Sequence, residues 1–133
     1  MSRRTPGRSI GPLSEALRIQ RAAAGQGFDW PDLAPLWRKL AEEIRELKAV
    51  AHDRRKARDE LGDLLFMAVN LARHLQVDPS RALSQASRKF LRRYAFVMRG
   101  ARTLPKRGDP RRLAAMERRW VEAKRREHRK RGR

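Results

Sequence analysis

The sequence predicts an all-α protein of about five helices, arranged as an antiparallel bundle. Apolar residues recur at three- and four-residue spacing in five separate stretches. Helix-start chemistry precedes most of them: Pro12, Pro31-Asp32, Asp78-Pro79 and Asp109-Pro110. No run of alternating apolar and polar residues reads as a strand. Short connections between helices make chain neighbours antiparallel.

Taken in order, residues 1–11 are basic, hold Pro6, Gly7 and Gly11, and are expected to be flexible. The first helix is expected from Pro12 to Ala24, with Leu13, Ala16, Leu17 and Ala24 on one side, ended by Gly25 and Gly27. Phe28-Asp29-Trp30-Pro31-Asp32 is a turn, in which Trp30 reads as packing near a helix cap. The second helix is expected to run to about Val50, with Leu33, Leu36, Trp37, Leu40, Ile44 and Leu47 inward. A polar connection, Ala51 to Arg55, leads to a third helix from about Lys56 to Gln76. Between Leu61 and Leu75 its apolar positions cover almost the whole circumference, the pattern of a helix at the centre of a domain. The fourth helix runs from Pro79 to about Arg99, with Ala82, Leu83, Ala86, Phe90, Tyr94 and Val97 on one stripe. Gly100 to Gly108 is a loop, and a last helix from Pro110 turns Leu113, Met116 and Trp120 inward. Residues 12–123 are thus expected to be the folded domain, and Lys124 to Arg133 a basic tail that frays.

The chain has 133 residues, enough for one real core. Its formal net charge is +19, unevenly spread. Residues 1–66 hold 13 basic and 10 acidic side chains, and residues 67–133 hold 21 and 5. Such an excess predicts an anionic partner, either a phosphorylated small molecule or a nucleic acid. There is no cysteine, so disulfides, thiolate catalysis and cysteine-ligated zinc are excluded. The basic start lacks the apolar segment of a secretory leader, and no apolar run is long enough to span a membrane. A cytoplasmic location is the expectation. His52, His74 and His128 show no ligand spacing.

Two acidic pairs interrupt this basic chain. Glu43 and Glu46, with Glu42 beside them, lie in the second helix, and Glu60 and Asp63 open the third. Each pair has i, i+3 spacing, so its carboxylates share a face. The thirteen residues between Glu46 and Glu60 allow a helix to end and return antiparallel, bringing the pairs face to face. Like charges about 4 Å apart cost roughly 4 kcal/mol at an effective dielectric near 20, against a domain stability of about 5–15 kcal/mol. Such a cluster calls for a divalent cation, and an all-oxygen donor set suits Mg2+ or Mn2+. Asn70, in the middle of the third helix, reads as bonding a neighbouring helix.

These residues resemble the MazG family of nucleoside triphosphate pyrophosphohydrolases, in particular the catalytic domain at the C-terminal end of its two-domain members. The family pattern of Glu-Glu-x-x-Glu followed by Glu-x-x-Asp is met by Glu42-Glu43-Ile44-Arg45-Glu46 and Glu60-Leu61-Gly62-Asp63. The match continues through Leu64-Leu65-Phe66, Val69-Asn70-Leu71-Ala72-Arg73, Asp78-Pro79 and Lys89-Phe90-x-Arg92-Arg93. Gly27-Phe28-Asp29-Trp30-Pro31 upstream and Trp120-x-x-Ala123-Lys124 downstream belong to it too, so it spans roughly residues 13–125. The resemblance implies an all-α fold whose core is completed by dimerisation or a larger assembly. The activity it implies is hydrolysis of a ribo- or deoxyribonucleoside triphosphate between the α and β phosphates. It implies that Glu43, Glu46, Glu60 and Asp63 bind Mg2+, and that Lys39, Glu42, Lys56, Lys89, Arg93, Trp120 and Lys124 line the nucleotide site. A spare carboxylate, Glu42 or Glu46, would activate water. Lys89 and Arg93, at i, i+4, would meet one triphosphate, while Trp120 stacks on a base or ribose and Lys124 takes a phosphate.

The sequence departs from the family in places. Ser87 stands where members commonly carry Asn, Asp59 replaces a common Glu, and the tandem second domain is absent, which reads as a single-domain form. The positive charge is also unusual for the family. It motivates an alternative of another class: a basic helical protein that binds nucleic acid through its C-terminal tail, with an idle MazG-like site. Such binding would be phosphate-driven and salt-sensitive.

Overall fold

The computed structural model describes residues 10–132. Most of the expected flexible N-terminus, and Arg133 at the end of the expected tail, lie outside the described residues. Five α-helices follow one another: α1 (Pro12–Gly25), α2 (Leu33–Val50), α3 (Arg54–His74), α4 (Pro79–Val97) and α5 (Pro110–Arg131). A single 3-10 turn, Ala101–Thr103, lies between the last two, and there is no strand among the described residues. The all-α expectation holds.

The chain divides into two compact units, the first ending at Ala82 and the second starting at Leu83. In the first unit α3 lies against both α1 and α2. Asp32 caps α2 by accepting from the Ala34 amide. Asp53 caps α3 through the amides of Arg55 and Lys56, which starts that helix two residues earlier than expected. These side-chain oxygens satisfy amides that a helix start leaves without partners. Helix α3 ends at His74 rather than Gln76, because Gln76 turns into the left-handed region at φ 59° and Val77 bonds back to the Ala72 carbonyl. The core of this unit holds Leu17, Leu36, Met67 and Val69, with Gln20, Glu43 and Asn70 buried among them.

The expectation that α3 is covered on nearly all sides needs correction. Leu61, Leu65 and Phe66 remain substantially exposed, as do Trp37 and Ile44 of α2. Apolar spacing marks which residues seek cover, but α1 and α2 together wrap only part of the α3 circumference.

In the second unit Val97, Leu104 and Ala123 are buried. The Arg119 guanidinium donates to the carbonyls of Val97 and Arg99 and to Thr103 Oγ1, satisfying groups at the C-terminal end of α4. A cation there also meets the negative end of the helix dipole. The expected fraying from Lys124 is not seen: α5 continues to Arg131. Glu122 bonds Arg126 one turn on, and Glu127 is held by Arg93 of α4, while the closing run of cations suits a helix C-terminus.

Candidate metal and nucleotide site

The acidic pairs meet across the turn between α2 and α3. Glu43 comes from the third turn of α2, and Glu60 and Asp63 from the second and third turns of α3. One carboxylate oxygen from each of the three lies within 4.8 Å of the others. Glu43 is buried, Glu60 half-buried and Asp63 exposed. Glu43 Oε2 and Glu60 Oε2 are both buried without a hydrogen-bond partner. Buried oxygens of this kind are costly unless something donates to them or coordinates them. Burial pushes both carboxyls above their ordinary range, and Glu46 and Asp63 add to the push by like-charge repulsion. Glu46, expected as a fourth ligand, stands exposed on α2 outside the close trio, yet near enough to act on both.

Lys39 is the counter-charge on this face. Its ammonium lies 3.5 Å from Glu42 and 3.6 Å from Glu43. One lysine against Glu42, Glu43, Glu46, Glu60 and Asp63 leaves a net negative centre in a protein of net charge +19. The donor set is all oxygen and has unfilled acceptors, so it fits a hard divalent cation. Lys56 lies two turns before Asp63 on α3 and lines a polar hollow with it.

A cleft of about 450 Å3 opens beside the carboxylates, still within the first unit. Glu43, Asp63 and Lys39 stand at its lining together with Phe28, Trp30, Phe66 and Met67. Trp30, expected to pack at a cap, is half-buried and lines this cleft. The Phe28–Trp30 segment is tied to α3 by Asp29, whose carboxylate accepts two bonds of 2.7 Å from Arg73 and lies 3.1 Å from His74 Nε2. The guanidinium holds the Asp29 carboxyl far below its usual range. Arg73 also donates to Asn70 Oδ1 at 3.0 Å. Asn70 therefore bonds within its own helix, not to a neighbouring one. Sequence reading missed Gln20, Phe28 and Arg73 as lining residues. The Gly-Phe-Asp-Trp-Pro segment was the available signal for Phe28, and nothing in the pattern marked Gln20.

The remaining expected substrate residues belong to the second unit. Trp120 is half-buried, with its ring 5.4 Å from that of Phe90, and the Arg93 guanidinium sits over it at 5.5 Å. Arg93 is bonded to Glu127 through both Nε and Nη2, the latter at 2.8 Å. Lys89 and Lys124 are exposed.

The first unit is thus a helical domain built around a carboxylate centre of the divalent-cation type, with a cleft at its side. Residues 33–98, which hold every one of these carboxylates, match the family described as the MazG nucleotide pyrophosphohydrolase domain. The chain is 43% identical over 126 residues to the nucleoside triphosphate pyrophosphohydrolase of Escherichia coli K12, covering 90% of this chain and 47% of that protein. It is 51% identical over 82 residues to the nucleoside triphosphate pyrophosphohydrolase/pyrophosphatase MazG of Thermotoga maritima, covering 62% of this chain and 32% of that one. The uncharacterized protein YabN of Bacillus subtilis matches over 70 residues at 36% identity. The chain belongs to the MazG nucleotide pyrophosphohydrolase family. It spans less than half the length of these curated relatives. No helix among the described residues is long and apolar enough to cross a membrane.

Proposed function

We propose that the protein is a nucleoside triphosphate pyrophosphohydrolase, converting a triphosphate and water to the monophosphate and pyrophosphate. The observation that carries this reading is the trio Glu43, Glu60 and Asp63, with two buried carboxylate oxygens left without donors. Glu43, Glu46, Glu60 and Asp63 would hold Mg2+, with Mn2+ as a substitute. Bound there, the ion would neutralise phosphate charge and orient phosphate oxygens. Glu42 or Glu46 would take the proton from water as its oxygen bonds to the α-phosphorus and the bond to the α–β bridging oxygen breaks. Pyrophosphate then leaves with the electron pair of that bond. Lys39 and Lys56 stand beside the carboxylates and would receive phosphate oxygens. Lys89, Arg93, Trp120 and Lys124 are assigned to the nucleotide on the family resemblance. A second copy of the chain would cover the exposed Leu61 and Leu65 of α3.

A panel of ribo- and deoxyribonucleoside triphosphates incubated with Mg2+ tests the reading. Monophosphate and pyrophosphate are the expected products, and their loss on chelation is expected. Diphosphate and orthophosphate instead would reject cleavage between the α and β phosphates. The competing reading, nucleic-acid binding through the basic C-terminus, is favoured by the 21 basic against 5 acidic residues after residue 66. It predicts a salt-sensitive complex that depends on residues 124–133, with no turnover.

A further inference from the structure

The second unit carries a charge excess that the reaction leaves unused. Residues 83–133 hold 19 basic and 4 acidic side chains. Three of those carboxylates are already taken: Asp109 by Arg111, Glu122 by Arg126 and Glu127 by Arg93. A hollow of about 780 Å3 between α4 and α5 is lined by Arg92, Arg99, Arg126, Arg129 and Lys130, and its carboxylate is Glu127. Arg92, Arg99, Arg129 and Lys130 are exposed and pair with no carboxylate among the described residues. A second hollow, lined by Arg111, Arg118 and Arg119, shares Phe96 with the first. Cations gathered this closely repel one another until an anion lies among them.

The shape of this excess narrows the anion. On α5 the lining runs from Arg111 to Lys130, about 28 Å of helix, which is far longer than one triphosphate group. Guanidinium forks suit phosphate oxygens. Phe96 is half-buried, with the Arg126 guanidinium over its ring at 4.7 Å and that of Arg99 at 5.7 Å. Aromatic rings and guanidinium planes give unstacked bases a surface to lie on. None of the exposed large apolar side chains lines either hollow. A membrane surface or an apolar protein partner would need them there. We propose that the face formed by α4 and α5 binds single-stranded nucleic acid through its phosphates, independently of the carboxylate centre in the first unit. The surface differs from a basic tail acting alone, because Arg92 and Arg99 precede α5. It reads no sequence, since phosphate contacts position a strand without distinguishing bases.

The test is fluorescence anisotropy of the full chain with a labelled oligouridylate ending in a 5′-hydroxyl, which offers no triphosphate to the carboxylates. Arg92→Ala combined with Arg99→Ala removes two exposed cations, and an unchanged melting midpoint checks that the fold is kept. Losing two phosphate contacts should weaken binding about 25-fold near 0.1 M salt and flatten the slope of log affinity against log salt by about 1.4. Arg21→Ala combined with Arg81→Ala removes the same charge from exposed positions that line neither hollow, and should leave affinity and slope in place. Equal losses in the two double variants would reduce the effect to net charge and overturn the groove. Undiminished binding in the Arg92/Arg99 variant would assign the strand to the tail and overturn it too. So would no complex with the oligouridylate at all, or capture of the protein by phosphatidylglycerol vesicles in its place. Pyrophosphate release from a nucleoside triphosphate, read in parallel, should be equal in the wild type and the Arg92/Arg99 variant. A matching fall in release would place these arginines in the reaction and reject an independent surface.

Discussion

In the first unit Glu43, Glu46, Glu60 and Asp63 crowd together with Lys39 as their near counter-charge, and burial plus repulsion raises the carboxyls of Glu43 and Glu60. In the second unit three carboxylates each have an arginine: Asp109 with Arg111, Glu122 with Arg126, and Glu127 with Arg93. There the bonds to arginine lower the carboxyls of Asp109 and Glu127. The same residue types thus face opposite electrostatic situations in one chain. Settled pairs hold a helix cap and a pair of helices together. Unsettled carboxylates oppose folding, which is the condition expected where a cation completes the structure.

The comparison breaks most visibly at Glu60. Glu60→Gln should lower pyrophosphate release by at least about 100-fold, since even groups that only orient metal ligands are worth 10- to 100-fold. Thermal unfolding without metal should be unchanged or shifted upward, because repulsion is relieved. A clear fall in the melting midpoint would mean that the cluster is structural.

Asp29 offers the opposite sign inside the first unit. Asp29→Asn removes a bidentate bond to Arg73 and should cost about 1–2 kcal/mol, seen as a lower denaturant midpoint. Because the folded protein holds this carboxyl below its unfolded value of 3.8, its contribution is complete above that pH. It is lost as the pH falls through the folded value. The gap between wild type and variant should therefore narrow on acidification, and a constant gap would reject the ion pair as its source.

The smallest effects belong to the second unit. Glu127→Gln should lower the melting midpoint by less than Asp29→Asn, since it leaves Arg93 stacked on Trp120. Arg111→Ala, at an 83% exposed side chain, should leave it where it is. A larger shift for Arg111 than for Glu127 would upset the ranking by burial.

Much of the fold could be read from residue order alone. Asp and Pro at helix starts placed four of the five beginnings to within about two residues, because capping chemistry is local. The two acidic pairs were legible as one cluster, since i, i+3 spacing and a short turn leave few other arrangements. The extent of α5 was not legible: Lys124 to Arg131 looks like a solvated charge run until Glu127 is seen to meet Arg93, a partner 34 residues away. The cover over α3 was overestimated for a related reason, since an apolar residue such as Leu65 announces a need for burial and not what supplies it. Gln20 was invisible because burial of a polar side chain is decided by the three-dimensional neighbours, here the Phe66 carbonyl.

Titration of Mn2+ into the protein, followed by the loss of the free-ion electron paramagnetic resonance signal, reads the carboxylate centre without reference to turnover. Saturable binding in the wild type, displaced by Mg2+ and abolished by Glu60→Gln combined with Asp63→Asn, is the predicted result. Uptake that is undiminished in that double variant would place the ion elsewhere and contradict the assignment of Glu43, Glu60 and Asp63.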